Sequence, residues 1–345
     1  MNSNRIFLAA IFLTVLYWIL RLYEPFLLTF VISALLSMAT YRINIKLIHY
    51  TKNNTLAALL STLLLSILFF VPIVYIITSI GGIVDDFNTS TIDKVINYVK
   101  TLNPTLPASL EFLQPHIDDA MRSFDIKSFS TQTLSYSAYI GKNSATFLKD
   151  MFLIVVFFFF TNLYGPTLVS YVKKATPMDD NEIDFVFSEV SNVMSVLFYS
   201  ILVTAIFEGL LFAFIGMYYG YDGLLLGILY GFASLIPVVG GALMWVPLSA
   251  YALANDNITE AISIAVYSIV VISIIADTFI KPLIIKYINK LSRVPTQINE
   301  LLIFLAILAG LSTFGFWGMI LGPALTALFV ALIKLYEILK SKNFL

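Results

Sequence analysis

The stretch GILYGFASLIPVVGGALMWVP, which covers residues Gly227–Pro247, lies inside a long and almost uncharged segment of the chain. A segment of this composition is typical of a membrane helix. Two prolines and two adjacent glycines are nevertheless unfavourable inside a continuous helix, because proline removes a backbone donor and glycine leaves the backbone flexible. The stretch therefore predicts a break within a membrane-buried segment, and the break needs an explanation.

The composition is that of a polytopic membrane protein. Of the 345 residues, 59% are hydrophobic and 12% are charged, whereas charged residues make up about 25% of an ordinary soluble domain. Several apolar segments of about 20 residues are long enough to cross a hydrocarbon core of about 30 Å as helices, and uncharged runs of that length exclude a barrel. The predicted fold is an all-α polytopic membrane protein with about five to six full transmembrane helices.

Residues 1–84 are predicted to form a scaffold of N-terminal transmembrane helices. Apolar segments 6–22 and 25–41 are separated by RLYEP, and proline suits the first turn of a new helix, so a helical hairpin is expected there. The following loop, YRINIKLIHYTKNN, carries basic residues and no acidic residue. The positive-inside rule places this loop in the cytoplasm, and the hairpin then places the N-terminus there too.

The remaining chain divides by charge into four predicted regions. A polar segment with charges of both signs and apolar residues at helical spacing predicts amphipathic helices on the outer face. An apolar segment that ends at two lysines follows, and then an acidic amphipathic segment. The regions are a small helical extracytoplasmic insertion at 85–145, a transmembrane helix at 146–174, a cytoplasmic linker helix at 175–195 and a transport region at 196–345.

The transport region contains the opening stretch and a second interrupted segment. One helix over 223–254 would be about 48 Å long and would leave the basic loop KPLIIKYINKLSRVP outside, against the positive-inside rule. A re-entrant hairpin that turns back at PVVGG removes the conflict. Residues 299–340, interrupted at STFGFWG, fit a second re-entrant hairpin that enters from the cytoplasm. Such an inverted repeat is typical of secondary transporters, and a pair of kinked helices with packing glycines is the alternative.

Three motifs occur in order along this region: LIPVVGGALMWVP, ADTFIKPLIIKY and LAILAGLSTFGFWGMILGPALTALF. Together they resemble the autoinducer-2 exporter family, the PerM-like permeases, whose pattern is a Pro-x-x-Gly break, Trp-x-Pro, an Asp-Asn-x-x-x-Pro-like motif and a glycine-rich terminal hairpin. Thr278 stands where many relatives have Asn. The resemblance implies a homo-oligomeric exporter of small polar molecules such as autoinducer-2 and, for some relatives, exchange of sodium for protons.

Glu208, in AIFEGLL, is the acidic residue that lies well inside a predicted span. An ionised carboxylate at that depth costs about 3 kcal/mol or more unless it is paired. Desolvation favours the protonated form of a carboxyl group, which suits reversible proton binding. Glu208 is therefore the candidate coupling site, and a protonated side chain bonded to a neighbouring helix is the structural alternative.

The other candidate residues of a substrate or ion pathway flank the two breaks. The hydroxyls of Ser234, Ser312 and Thr313 can contact a polar solute, or they can cap broken helices. Asp277 and Lys281 are four residues apart and share a helix face, so they can pair with each other as well as contact a substrate. The candidate backbone positions are Pro237, Gly240, Gly241, Pro282, Gly315, Gly318 and Pro323.

The absent motifs narrow the function. The chain has no cysteine, which excludes disulfides and thiolate metal sites, and it has no nucleotide-binding Gly-Lys-Ser/Thr loop. We expect no enzyme activity, no cofactor, no metal and no nucleic acid. The hypothesis is a secondary transporter in the bacterial cytoplasmic (inner) membrane, with both termini cytoplasmic, that exports a small polar solute. The alternatives are a Na⁺(Li⁺)/H⁺ antiporter that uses the same site and, from a different class, a channel or scaffold. The expected partners are the lipid bilayer, a small polar solute or a monovalent cation or proton, and copies of the same chain.

Overall fold

The fold was analysed in a computed structural model, which describes residues 3–86, 126–236, 240–280, 282–283, 286 and 299–341. Every regular element in these ranges is helical. Six helices within them are long and apolar enough to cross a membrane. The predicted all-α polytopic class is therefore confirmed.

Four long helices occupy the first part of the described chain. They run without interruption between their ends, and each carries long apolar sequences. Their bounds are Ser3–Thr51 (α1), Asn54–Asp86 (α2), Ile126–Ala175 (α3) and Asp180–Tyr218 (α4).

The second part of the described chain consists of shorter helices. The third of them changes from an α-helix to a π-helix along its length, and the last two are joined by a single 3-10 turn. Their bounds are Gly223–Ala233 (α5), Ala242–Ala254 (α6), Ile258–Val266 (α7) with π-helical continuations Tyr267–Ile274 and Ala276–Ile280, Glu300–Phe314 (α8) and Gly318–Ser341 (α9) after the turn Gly315–Trp317.

The predicted hairpin at RLYEP is wrong, because α1 continues through this stretch with Pro25 inside it. The polar residues of RLYEP interrupt the apolar sequence but do not end the helix. Arg21 donates to Glu24 across one turn at 2.8 Å, and both side chains are exposed. Arginine and glutamate are good helix formers, so this pair supports the helix that proline weakens. Because α1 does not turn back here, no hairpin returns the N-terminus to the side of residues 42–52.

Two of the predicted domains can be compared with the helices of the structure. From Asp180 onward, the predicted linker 175–195 lies in the same helix as the span that follows it, because α4 is continuous from Asp180 to Tyr218. Most of the predicted insertion 85–145 lies outside the described residues. Its last part, residues 126–145, is helical and continues into the apolar half of α3.

The chain forms two compact units. Unit 1 consists of Met1–Ser66, Phe147–Phe198 and Asn289–Leu345, and unit 2 consists of Ile67–Thr146 and Tyr199–Ile288. Each of the helices α2, α3 and α4 has one part of its length in unit 1 and the other part in unit 2.

Unit 1 holds its helices together with buried polar contacts as well as apolar packing. Ser37 donates to Asn162 Oδ1 at 3.1 Å, and Ser61 donates to Asn44 Oδ1 at 3.2 Å. Ser195, on α4, donates at 2.9 Å to the backbone carbonyl of Ala39 on α1. Such bonds satisfy polar groups that would otherwise be stranded in an apolar interior.

The α8–α9 hairpin of unit 1 brings two backbones into direct contact. A Cβ atom added to Gly310 would collide with the carbonyl of Gly318, and one added to Gly322 would collide with the carbonyl of Ala306. These pairs are symmetric about the tip, where Gly315 has a φ of 65°, a conformation that favours glycine. The break predicted within STFGFWG is therefore a closed antiparallel turn.

Unit 2 contains a second close hairpin, formed by the end of α4 and by α5. Small residues four positions apart on one helix face small residues four positions apart on the other. A Cβ atom on Gly227 would lie 2.7 Å from the carbonyl oxygen of Gly209, and one on Gly231 would lie 2.9 Å from that of Ala205. Gly227 and Gly231 of the opening stretch thus pack against α4, which is the role that the packing alternative gave to the glycines.

We expect Gly310→Ala to lower the thermal stability of the purified protein. Alanine for glycine inside a helix normally stabilises by about 0.5–1 kcal/mol, but here the new methyl group meets the Gly318 backbone. We expect a loss of about 1–3 kcal/mol, as for other overpacked positions. The melting temperature in detergent measures the effect.

Ala309→Leu is the matched control, because Ala309 is the exposed neighbour of the buried Gly310 on α8. It adds a larger side chain and should leave the melting temperature almost unchanged. A Gly310→Ala variant that melts above the parent would show that the α8–α9 contact is looser than described.

Candidate functional site

Glu208 lies in unit 2, on the part of α4 that forms the close hairpin. It is 8% exposed, so the predicted burial of this carboxyl group is confirmed. One turn before it lies Thr204 and one turn after it lies Phe212, which are 3% and 0% exposed. The three side chains form a buried stripe along α4.

The first break separates α5 from α6 and is held closed by local contacts. Ser234 caps α5, with its Oγ donating to the carbonyl of Gly231 at 2.9 Å. A Cβ atom on Gly240 would collide with the carbonyl of Ala233, and one on Gly241 would lie 2.6 Å from the Tyr230 hydroxyl oxygen. Close approach of the backbone therefore requires glycine at position 240, whereas a Cβ atom at position 241 would meet the end of a side chain.

The second break has the same capping chemistry. Ser312 and Thr313 both donate to the carbonyl of Ala309, at 2.9 and 2.8 Å. Gly318 contacts the backbone of Gly310, and Pro323 is buried in the first turns of α9. The hydroxyls at both breaks thus bond to their own helices, as the capping alternative expects.

Some candidates lie outside the described residues. Pro237 and Lys281 are in gaps, and Asp277 is described only as part of a π-helical backbone, so the Asp277–Lys281 pair stays a prediction. Pro282 is helical and exposed.

The candidates divide between the two units. Glu208, Ser234 and the glycines of the first break belong to unit 2, whereas Ser312, Thr313 and the second tip belong to unit 1. The structure gathers each group within its own unit, and the meeting of the two breaks at one solute site stays a prediction.

Sequence reasoning missed a second buried carboxylate, Glu189. It is 3% exposed, lies on the unit 1 part of α4 and accepts a hydrogen bond of 2.6 Å from Lys334 Nζ on α9. The pattern of residues 180–195 predicted an amphipathic interfacial helix, in which acidic residues face water. In the structure, Glu189 instead packs against α9, where it pairs with Lys334.

Sequence reasoning also missed a set of buried hydroxyls in unit 2. The Oγ atoms of Thr204, Ser249 and Ser268 have no hydrogen-bond partner among the described residues. Thr204 is four residues before Glu208, a spacing that places both on one helix face and that could have drawn attention to it.

A tyrosine and acid cluster lies between α4 and α5 in unit 2. Tyr75 donates to Asp222 at 3.2 Å, and Asp222 also caps α5 by accepting from the Leu225 amide at 3.0 Å. Tyr221 donates to Glu260 at 2.5 Å. Burial raises the pKa of Tyr221 strongly, and the bond to Glu260 raises it further.

Comparison with known proteins gives a consistent result over almost the whole chain. The sequence profile of the AI-2E family transporters matches residues 6–338. A protein of Helicobacter pylori strain J99 is 36% identical over 332 residues, which cover 95% of this chain and 94% of that protein. A protein of Helicobacter pylori strain 26695 is 34% identical over 328 residues, with the same coverage.

A more distant relative from Aquifex aeolicus is 23% identical over 266 residues, or 74% of this chain and 72% of that protein. These relatives carry provisional names as transport proteins, with no solute stated.

We expect Lys334→Met to destabilise the protein by about 2 kcal/mol. Breaking a buried ion pair costs about 3–5 kcal/mol because the remaining charge is stranded, and the partial exposure of Lys334 reduces that figure. Adding Glu189→Gln to the same chain should restore at least half of the loss. Thermal melting of the two single variants and the double variant measures the coupling.

The exposed pair Arg21–Glu24 is the control for this cycle, since exposed pairs contribute about 0–1 kcal/mol. Arg21→Met should change the melting temperature little. If Lys334→Met has an equally small effect, the Glu189–Lys334 pair does not stabilise the fold.

We expect Tyr221→Phe to make the stability of the protein less sensitive to alkaline pH than that of the parent. A group whose pKa is raised by folding contributes stability below its unfolded pKa, here about 10, and the contribution is lost as the pH rises through the folded pKa. Plotted against pH, the melting temperature of the parent should fall more steeply above about pH 10 than that of the variant. Parallel curves would contradict a raised pKa of Tyr221 in the folded protein.

Proposed function

The chain belongs to the AI-2E transporter family, and on that premise we propose that it is a secondary transporter which exports a small polar solute, such as an autoinducer-2-like signal, at the expense of an ion gradient. Glu208 is the coupling site of this proposal. Membrane transport itself is the activity of the family, while the solute, the direction and the coupling ion are the proposed parts.

The burial of Glu208 is the observation that carries the proposal. An acidic side chain within an apolar membrane segment is costly and is found where substrates, ions or protons pass. Glu208 is 8% exposed, and it is the only charged residue of α4 between Val190 and Tyr218. Protonation removes its charge, so a proton gradient can act on the unit that contains it.

The broken helices support a solute site near this carboxyl group. Helix ends leave backbone donors and acceptors without intrahelical partners, and membrane proteins tolerate them where they are buried in protein or line a polar cavity. The break between α5 and α6 lies in the same unit as Glu208. Movement of the breaks between two arrangements would open the site to either side in turn.

Exchange of Na⁺ or Li⁺ for H⁺ is the second candidate function. A carboxylate can bind either a proton or a small cation. Either ion is held by a single negative charge in a site that excludes water. In this reading Glu208 is the transport site itself and no organic solute is needed. A channel or scaffold role would make the same carboxyl group structural.

The location proposed for the transporter is the bacterial cytoplasmic membrane, where copies of the chain form homo-oligomers. The basic sequences at 42–52 and 281–293 favour the cytoplasmic side, and so does the basic last turn of α9, which supports a cytoplasmic C-terminus. Because α1 does not turn back, we no longer assign the N-terminus to that side.

Flux into proteoliposomes tests the coupling role. We expect Glu208→Gln to abolish uptake driven by a pH gradient while the protein still folds and inserts, because glutamine cannot release a proton. Glu337→Gln is the matched control, since Glu337 lies on the exposed face of α9, and it should transport like the parent.

Two classes of solute are tested in separate flux assays. One class is autoinducer-like furanosyl sugars, and the other is Na⁺ or Li⁺. Sugar flux supports the first candidate and cation flux supports the second. Full activity of Glu208→Gln with either solute would remove the basis of both.

A further inference from the structure

The last turns of α1 carry basic residues in a part of the sequence that has no acidic residue. Arg42, Lys46 and His49 are four and three residues apart, a spacing that places them on one helix face, and all three are exposed. Lys52 follows at the turn into α2 and is exposed too. The sequence 25–84 contains no aspartate or glutamate. These four residues form what we call the basic end of α1.

The opposite side of the same helix segment is fixed in the interior of unit 1. Asn44 is 4% exposed and accepts a hydrogen bond of 3.2 Å from Ser61 on α2. Thr40, one turn earlier, is 6% exposed and donates to its own helix. The segment therefore has a buried side that holds the helix and a basic side that stays exposed.

The helices α1 and α3 run in the same direction, so both end at one end of unit 1. The ring centroids of Phe30 and Phe157 are 5.9 Å apart, and Ser37 bonds to Asn162 further along both helices. A short connection then leads from the end of α3 to the start of α4, which is acidic. Acidic side chains of the chain itself are thus present at the end where α1 is basic.

These acidic side chains do not neutralise the basic end of α1. Asp184 of α4 pairs with Lys173 of α3 at 2.7 Å. Neither Lys46 nor Lys52 has an ion pair among the described residues. Their positive charges are therefore available to a partner outside the chain.

Large apolar and aromatic side chains lie among the basic ones. Tyr41, Ile45 and Tyr50 are 52%, 44% and 81% exposed. Tyrosine is enriched where a membrane meets water, and long basic side chains extend along apolar surface toward charged headgroups. A surface with both kinds of side chain fits the headgroup region of a bilayer better than it fits a soluble anion, which gains nothing from exposed apolar groups.

The backbone of Lys52 adds an independent observation. Its φ is 54°, which lies in the left-handed region that glycine adopts at little cost and lysine does not. Its amide donates to the Ile48 carbonyl at 2.8 Å and so closes α1. Strain that glycine would relieve is consistent with a side chain that has a function. At this turn the lysine adds a positive charge next to the exposed face of α1.

We propose that the basic end of α1 binds the anionic headgroups of membrane phospholipids, and that these lipids stabilise the folded protein. Clusters of lysine and arginine next to a membrane helix attract anionic lipids. The positive-inside rule concerns the side of the membrane on which a basic loop stays, whereas bound headgroups are ligands of the folded state. The lipid surface goes beyond the proposed function and does not depend on the transported solute.

The test is the melting temperature of the purified full-length protein in an uncharged detergent, followed by its tryptophan fluorescence. Short-chain phosphatidylglycerol, which is anionic, is compared at constant ionic strength with phosphatidylcholine of the same chain length, which has no net charge. A ligand that binds the folded state raises its melting temperature. We expect a larger rise with phosphatidylglycerol, and a smaller difference between the two lipids at high salt.

The double variant Lys46→Gln/Lys52→Gln is the diagnostic one. It should need at least about tenfold more phosphatidylglycerol for the same rise, because each basic residue near an anionic surface contributes to the attraction. Lys46→Arg/Lys52→Arg keeps both charges and should keep the rise. Arg21→Gln/Lys149→Gln is the matched control, since it removes two exposed positive charges from other parts of unit 1, and it should keep the rise as well.

Lys52→Gly separates the lipid contact from the fold. Glycine relieves the strained backbone, so the melting temperature with phosphatidylcholine should equal or exceed that of the parent. The additional rise with phosphatidylglycerol should be smaller, because one charge is lost. A purely structural role of Lys52 would change the first quantity and leave the second unchanged.

Three results would overturn the lipid surface: an equal rise of the parent with both lipids, a full rise in the glutamine double variant, or an equal loss in the matched control. Glycerophosphoglycerol, the same headgroup without acyl chains, is the final comparison. We expect it to have little effect at the concentration at which phosphatidylglycerol acts. An equal rise would show that the ligand is a free anion and not a membrane lipid.

Discussion

Close contact between helix backbones is the constraint on which both units of the protein depend. In a membrane, lipid tails are as apolar as leucine, so helices gain little by burying leucine against each other, and they associate through close packing and polar contacts instead. Rows of small residues four positions apart allow that approach. Gly310 faces Gly318 in unit 1, and Gly209 faces Gly227 in unit 2. In both hairpins a single methyl group would separate the helices.

The same rows explain where the chain turns and which helix each glycine serves. In the α8–α9 hairpin, the contacts are symmetric about a tip at Gly315, whose positive φ permits the reversal. In unit 2 the glycines of α5 face back toward α4, while Gly240 and Gly241 close the turn that follows. The glycines of the opening stretch therefore perform two tasks, helix contact and chain reversal, that composition alone does not separate.

Much of the fold could be predicted from composition and hydropathy, because a membrane restricts buried backbone to helices. The all-α class and the break at STFGFWG were found in this way. The helix through Pro25 was missed because a local proline signal was outweighed by favourable neighbours, with Arg21 and Glu24 paired on the same helix. Glu189 was missed because helical periodicity shows an apolar face but cannot show what packs against the polar one.

Buried polar groups in this protein fall into two kinds, and the difference carries physical meaning. Glu189 has its charge partner in Lys334, and Thr40 and Thr161 use their own helices; groups satisfied in this way hold the fold together. Thr204 and Ser268 are as deeply buried, yet their oxygens have no partner among the described residues. Evolution readily replaces such hydroxyls with valine or alanine of nearly the same shape, which would relieve the desolvation cost. A cost that local rules do not repay is expected at functional sites, and for Thr204 it lies along the helix stripe of the buried carboxyl group of Glu208.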